Sequence, residues 1–198
     1  MLIKDFIDEI KNKFERLGEN EDINKFTEKK FQIYCTEILL DNNLKAFMEY
    51  PFYNYIKNED EKKVCDIVIT EKENCNKVKT WIELKPIWAH PNSNYWYHSK
   101  FLDKSSPFRH DLEKLSKISP SENRWFIIFL FSGEKEVISE FSNPKPKIRL
   151  SANQIVGIVS KWIKKEPEII KSFQSKTNYC HIIGWDVKEF QDIEFPLK

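Results

Sequence analysis

Ile3, Phe6, Ile7, Ile10, Phe14 and Leu17 are spaced by three and four residues, the interval that lines side chains along one side of an α-helix. They predict an amphipathic helix over residues 2–17, with Gly18 as its C′ residue. Residues 19–25 read as a polar connector. Thr27 suits an N-cap for a second helix over 28–42, whose apolar stripe is Phe31, Tyr34, Cys35, Ile38 and Leu39. The period then drops to two. Residues 44–53 read as a strand, with Pro51 marking an edge or an end. Residues 54–62 form a charged loop, and 64–70 and 79–85 read as a hairpin of two further strands. Ser106 followed by Pro107 predicts a helix start, with Phe108, Leu112, Leu115 and Ile118 turned inward. Residues 123–132 hold the most apolar run in the chain and suit a buried central strand.

Beyond Gly133 the pattern is less distinctive. Residues 134–141 predict a short helix, and 143–149 an extended, Pro-rich, basic connector that could contact phosphate. Ser151 and Gln154 form a capping-box start for a helix to about residue 165. Glu166-Pro167 restarts a short helix, and 179–185 read as a last strand. The order helix, strand, strand, strand, helix, strand predicts an α/β fold with a central mixed β-sheet flanked by α-helices. The length of 198 residues fits one domain, with its core over about 26–132, an N-terminal helix, and a C-terminal extension over 134–198.

Composition removes several function classes. A hydrophobic content of 40% with 14% aromatic residues excludes a disordered chain. Only 4 Gly are present, and there is neither G-x-G-x-x-G nor a Walker loop, so a glycine cradle for nucleotide phosphates is ruled out. A formal net charge of +1 argues against coating nucleic acid by bulk charge; any such contact needs a local basic surface. Cys35, Cys65, Cys75 and Cys180 show no C-x-x-C spacing, and no secretory signal precedes them. They read as reduced thiols of a cytoplasmic protein, Cys35 and Cys65 in the core. A zinc site from Cys75, Cys180 and a His has no motif behind it. No run is long enough to span a membrane, so no membrane partner is expected.

The hairpin carries the chemistry. Asp66 lies inside VCDIVIT, and Glu83 and Lys85 lie inside KTWIELK. Charged residues are depleted in strands, so their presence here asks for a reason. Alternation puts Trp81, Glu83 and Lys85 on one face and Ile82 and Leu84 on the other. End-to-end pairing of the two runs puts Asp66 opposite Glu83, with Cβ atoms about 4.5–5.5 Å apart. Two such carboxylates repel and raise each other's proton affinity. A hard divalent cation relieves that, and Mg²⁺ suits one or two carboxylates plus water and phosphate. Lys85 on the same face then lies within reach of a phosphate. The plainer alternative is a half-exposed ribbon with one solvated face, but Trp81, Ile82, Leu84, Pro86, Ile87 and Trp88 make a poor solvent face.

Asp66, a connection, and Glu83-Leu84-Lys85 resemble the PD-(D/E)xK nuclease motif of restriction endonuclease-like folds. The likeness covers roughly residues 26–132; the Pro that often precedes the Asp is replaced by Val64-Cys65. The resemblance implies a Mg²⁺-dependent endonuclease, with Mn²⁺ as an alternative ion. It acts on nucleic acid, DNA in preference to RNA, in restriction, repair or mobile-element defence. By the same resemblance, Asp66 and Glu83 hold the metal with the Leu84 carbonyl as a third ligand, and Lys85 orients water or stabilises the phosphate. A Glu from the preceding helix often approaches such a site; Glu28 and Glu37 are the candidates, and Glu28 fits the helix-start position better. Its plain alternative is favourable placement on the helix dipole. Glu49, ahead of the Asp strand, is a further candidate. A D-x-x-K-L pattern follows the Glu-x-Lys strand in many relatives, which implies that Lys114 contacts phosphate; alternatively, Asp111 and Lys114 form a surface pair.

The stretch over 86–106 holds Trp88, His90, Tyr95, Trp96, Tyr97, His98, Lys100 and Phe101. It either stacks on bases and grips phosphates or folds back onto the core. His90 and His98 are possible acid–base groups that such a nuclease does not require. Many such nucleases dimerise to cut both strands, which makes a homodimer an open expectation. The rival reading is a catalytically inactive module of the same fold that binds nucleic acid or a protein.

Overall fold

Strand β4 (Asn123–Ser132) is the middle of the structure, and every residue of it except Asn123 is buried. A strand covered on both faces has no reason to alternate, so it reads as a continuous apolar run. The computed structural model describes residues 2–52, 63–75, 77–88, 101–141, 150–175 and 178–195. Five more strands complete a mixed sheet: β1 (Lys45–Pro51), β2 (Val64–Thr70), β3 (Val78–Trp88), β5 (Ile169–Gln174) and β6 (Tyr179–Asp186). Their order is β1-β2-β3-β4-β6-β5. Only β3 and β4 run parallel; the other neighbours are antiparallel. A parallel pair needs a crossover, and helix α3 (Pro107–Ser116) lies on it.

Helices α1 (Ile3–Asn20) and α2 (Glu28–Asp41) bury Ile7, Ile10, Phe14, Phe31 and Leu39 against Ile82, Leu84, Ile127 and Phe129. On the other face, α3 and α4 (Ala152–Ile163) bury Leu112, Leu115, Ile155 and Trp162 against Trp81, Phe126 and Ile128. Trp81 thus belongs to one layer and Ile82 and Leu84 to the other, as the two-residue period requires. Two designed starts hold: Thr27 Oγ1 accepts from the Lys30 N–H at 3.3 Å, and Ser151 and Gln154 form a reciprocal capping box. Helix α3 begins where Ser106-Pro107 predicts, although the Ser106 side chain makes no cap bond.

Five expectations need correction. Helix α1 runs through Gly18, which is buried with an ordinary negative φ, and the chain turns at Glu21 instead. The stretch after it is not a polar connector, because a short 3₁₀ turn, Ile23–Lys25, buries Ile23. Residues 134–141 form no helix: they lie along α4, Val137 is buried, and the Ile138 N–H is taken by Asn153 Oδ1 at 3.0 Å. After Glu166-Pro167 comes the edge strand β5, which gains a partner for each residue by pairing with β6 from Ile169↔Gly184 to Gln174↔Tyr179. The loop expected over 86–106 also begins later, since β3 continues on β4 to Trp88↔Phe131. Its far end folds back: Phe101 and Leu102 are buried, with Phe101 against Phe108 and Trp162. The charged loop over 54–62, the Tyr95–Tyr97 aromatics with His90, His98 and Lys100, and the Pro-rich arm over 143–149 lie outside the described residues. Among the described residues no helix is long and apolar enough to cross a membrane.

Two outcomes follow from this packing. A Cβ on Gly157 would come within 2.8 Å of the Glu140 backbone carbonyl carbon. Gly157→Ala therefore forces α4 away from the 134–141 segment and should lower unfolding free energy by about 1–3 kcal/mol in urea titration. All four cysteines are free, with Cys75 exposed and Cys35, Cys65 and Cys180 buried, and burial pushes those three thiols up. A disulfide reagent should label only Cys75 in the native protein and the other three after unfolding, counted by mass spectrometry.

Candidate functional site

The site begins where one ladder ends. Strands β2 and β3 pair at Ile67↔Ile82, Val68↔Trp81 and Ile69↔Thr80, which is the register expected from the sequence. Continued by one step it would set Asp66 against Glu83, but the ladder stops at Ile67↔Ile82. Pro86, which has no N–H, lies on the part of β3 that pairs with β4 alone. In the fork, Asp66 takes the place of a strand partner. Its Oδ2 accepts from the Leu84 N–H at 2.7 Å. Its Oδ1 accepts from Gln32 Nε2, also at 2.7 Å. The visible contact of Leu84 is therefore through its N–H.

Both helical layers reach this fork. From α2 come Glu28 and, one turn on, Gln32; the Thr27 cap fixes the turn that carries Glu28. From α3 come Asp111 and Lys114, both buried. Lys85 Nζ lies 3.1 Å from Glu28 Oε1 and 2.9 Å from Asp111 Oδ2, so it ties one layer to the other. Lys114 Nζ lies 3.2 Å from Glu83 Oε1 and 2.6 Å from Asp111 Oδ1, and it also donates to the Val64 carbonyl at 3.3 Å. Glu83 is 1% exposed. Four carboxylates (Glu28, Asp66, Glu83, Asp111) thus face two ammonium groups (Lys85, Lys114), an excess of two negative charges when all are ionised.

That excess governs proton binding. Burial pushes the Glu83 carboxyl well above the usual range, and Asp111 and Asp66 add to it against the pull of Lys114 and Lys85. Burial also raises half-buried Glu28; Lys85 opposes this, while Asp66 and Asp111 reinforce it. Burial acts to lower both lysines, but the carboxylates overcome it and hold them above the ordinary lysine value, Lys85 chiefly through Asp111 and Lys114 chiefly through Glu83. The cluster therefore favours the ammonium form of both lysines and the protonated form of Glu83.

The donor set suits a hard divalent cation: carboxylate oxygens, a buried amide oxygen on Gln32 with no hydrogen-bond partner among the described residues, and surplus negative charge. It does not suit zinc. Among the described residues no group of three or more His, Cys, Asp or Glu converges to hold a metal, whereas Mg²⁺ needs only one or two carboxylates beside water and phosphate.

Of the residues singled out in the sequence, Asp66, Glu83, Lys85, Glu28 and Lys114 come together here. Glu49 and Glu37 do not. Glu49 has a left-handed φ of 52° and pairs with Lys29 at 2.6 Å on the surface, and Glu37 pairs with Lys13 at 2.8 Å. Two members were missed. Asp111 is legible in the sequence only as the i,i+3 partner of Lys114, with no sign that it reaches Lys85. Gln32 carried one signal, its place one turn beyond Glu28.

Glu83 offers a test of this charge balance. A carboxyl whose folded value is raised stabilises the fold most at low pH, and the contribution is lost as pH rises from the ordinary value of 4.5. Glu83→Gln lacks that titration. In cation-free buffer its melting midpoint relative to the parent should rise as pH is raised above the ordinary carboxyl value of 4.5. A variant that falls further behind as pH rises would mean that Glu83 is ionised against Lys114, where removing one partner costs about 3–5 kcal/mol. Compared with known protein families, curated proteins and solved structures, the chain matches none.

Proposed function

We propose that this protein is a Mg²⁺-dependent endonuclease of the restriction endonuclease-like, PD-(D/E)xK kind, cutting DNA in preference to RNA. The observation that carries this is the buried cluster at the β2–β3 fork, where Asp66 meets Gln32 from α2, Glu83 meets Lys114 from α3, and Lys85 meets Glu28 and Asp111 from both. Support comes also from the element order around it, with a helix before and a helix after the three-strand meander. Mn²⁺ would serve the same donors.

In this reading Asp66 and Glu83 hold the cation, with Glu28 and Asp111 close enough to share its charge. The cation's contribution is to lower the pKa of water and to neutralise phosphate oxygens. Lys85, poised between Glu28 and Asp111, releases one of them to hold the attacking water or the phosphate as charge develops there. Lys114 keeps Glu83 and Asp111 apart and in place. Restriction, repair or mobile-element defence in the cytoplasm are the settings such an activity fits, and a homodimer would let two copies cut both strands.

A second reading has one observation in its favour. Both lysines are already paired inside the cluster and Glu83 is almost wholly covered, as in an inactive module that binds nucleic acid or a protein partner. Cleavage of plasmid DNA and of RNA with Mg²⁺ separates the two. The parent should cut with Mg²⁺ and not with EDTA, and Lys85→Gln should lower the rate by about 10²–10³-fold at an unchanged fold by circular dichroism. Unchanged cleavage by that variant would remove Lys85 from the mechanism. Binding without cleavage by the parent would establish the inactive module.

A further inference from the structure

Gln32 is 5% exposed and lies in the buried stripe of α2 beside Phe31 and Cys35. An apolar residue would serve packing better there, since a polar group in a core is costly unless fully bonded. Its bond to Asp66 settles which way the amide faces: a carboxylate only accepts, so Nε2 points to Asp66 and Oε1 points elsewhere. Oε1 is buried and has no hydrogen-bond partner among the described residues. An unsatisfied buried acceptor costs about 1–3 kcal/mol. Stability therefore does not account for Gln32, whereas the site does.

Asp66 is held by two donors from different elements, one per oxygen: Gln32 Nε2 from α2 and the Leu84 N–H from β3. Two such bonds fix the plane of the carboxylate, and each oxygen keeps a second lone pair free. Resting on the reading of Asp66 as a cation ligand, we propose that Gln32 is its positioning residue. The amide nitrogen sets the orientation of Asp66. The amide oxygen, about 2.2 Å from that nitrogen by covalent geometry, accepts a hydrogen bond from the cation's hydration shell. Groups that orient a ligating carboxylate govern metal affinity by about 10–100-fold, although they never touch the metal.

The test is a double-variant cycle on the full chain with Mn²⁺ as probe, read as the dissociation constant by electron paramagnetic resonance. The four proteins are the parent, Gln32→Met, Asp66→Asn, and the two changes combined, each checked for folding by circular dichroism. Gln32→Met keeps length and packing while removing both polar atoms; if it does not fold, Gln32→Ala takes its place in the same cycle. The expected result is a Gln32→Met affinity about 10–100-fold weaker than the parent's. In the Asp66→Asn background the same change should cost markedly less, because the part of its effect that runs through Asp66 is already lost. Losses that simply multiply, or a Gln32→Met protein that binds Mn²⁺ as the parent does, would overturn the positioning role while leaving Asp66 a ligand. A parent that binds no Mn²⁺ would end both this role and the cation reading beneath it.

Discussion

Six ionisable side chains are gathered between two helical layers where β2 and β3 part. That is the constraint the rest of the structure answers to. Charges are brought into a low-dielectric interior only at a cost of several kcal/mol each, recovered when every one finds a partner of opposite sign. Here the partners come from separate parts of the chain: β2 and β3 supply Asp66, Glu83 and Lys85, α2 supplies Glu28 and Gln32, and α3 supplies Asp111 and Lys114. Lys85 spans from α2 to α3. The arrangement is expensive as a means of holding a sheet to its helices, because apolar contacts would do that better. Its signs do not cancel: with every group ionised, two negative charges are left over.

Much of this was legible in the chain because local rules and tertiary packing agree there. The two-residue period fixed the faces of β3, and hairpin pairing fixed the register of β2 on β3 through Ile67↔Ile82. The caps at Thr27 and Ser151 and the apolar run of β4 each point to one structure only. What pairing alone could not reveal was that the ladder stops a step early. The acids therefore do not sit as a simple opposed pair. Asp66 bonds the Leu84 N–H, and Glu83 turns to Lys114.

The misses have a shared cause. Asp111 and Gln32 are polar residues whose meaning depends on what a distant strand brings to them, and no spacing along one helix carries that information. Residues 134–141 and β5 failed for the converse reason. Their local patterns are weak, so a neighbour decided the outcome: α4 took the first as a covering segment and β6 took the second as an edge. Gly18 shows the same override, because a glycine buried within a packed helix need not end it.

Glu49 belongs to a different story from the one its charge first suggests. Strand β1 is the outermost strand on its side of the sheet, and it carries the exposed side chains Phe47 and Met48. A flat, greasy rim of that kind invites a stray extended chain to add on and seed aggregation. The left-handed kink at Glu49 breaks the regular row of backbone donors and acceptors in the middle of β1, and the tether to Lys29 pins the kink to the body of the protein. A non-glycine residue held in that conformation costs about 1–3 kcal/mol. The strained residue thus interrupts, at the middle of β1, the row of backbone groups that an added strand would need.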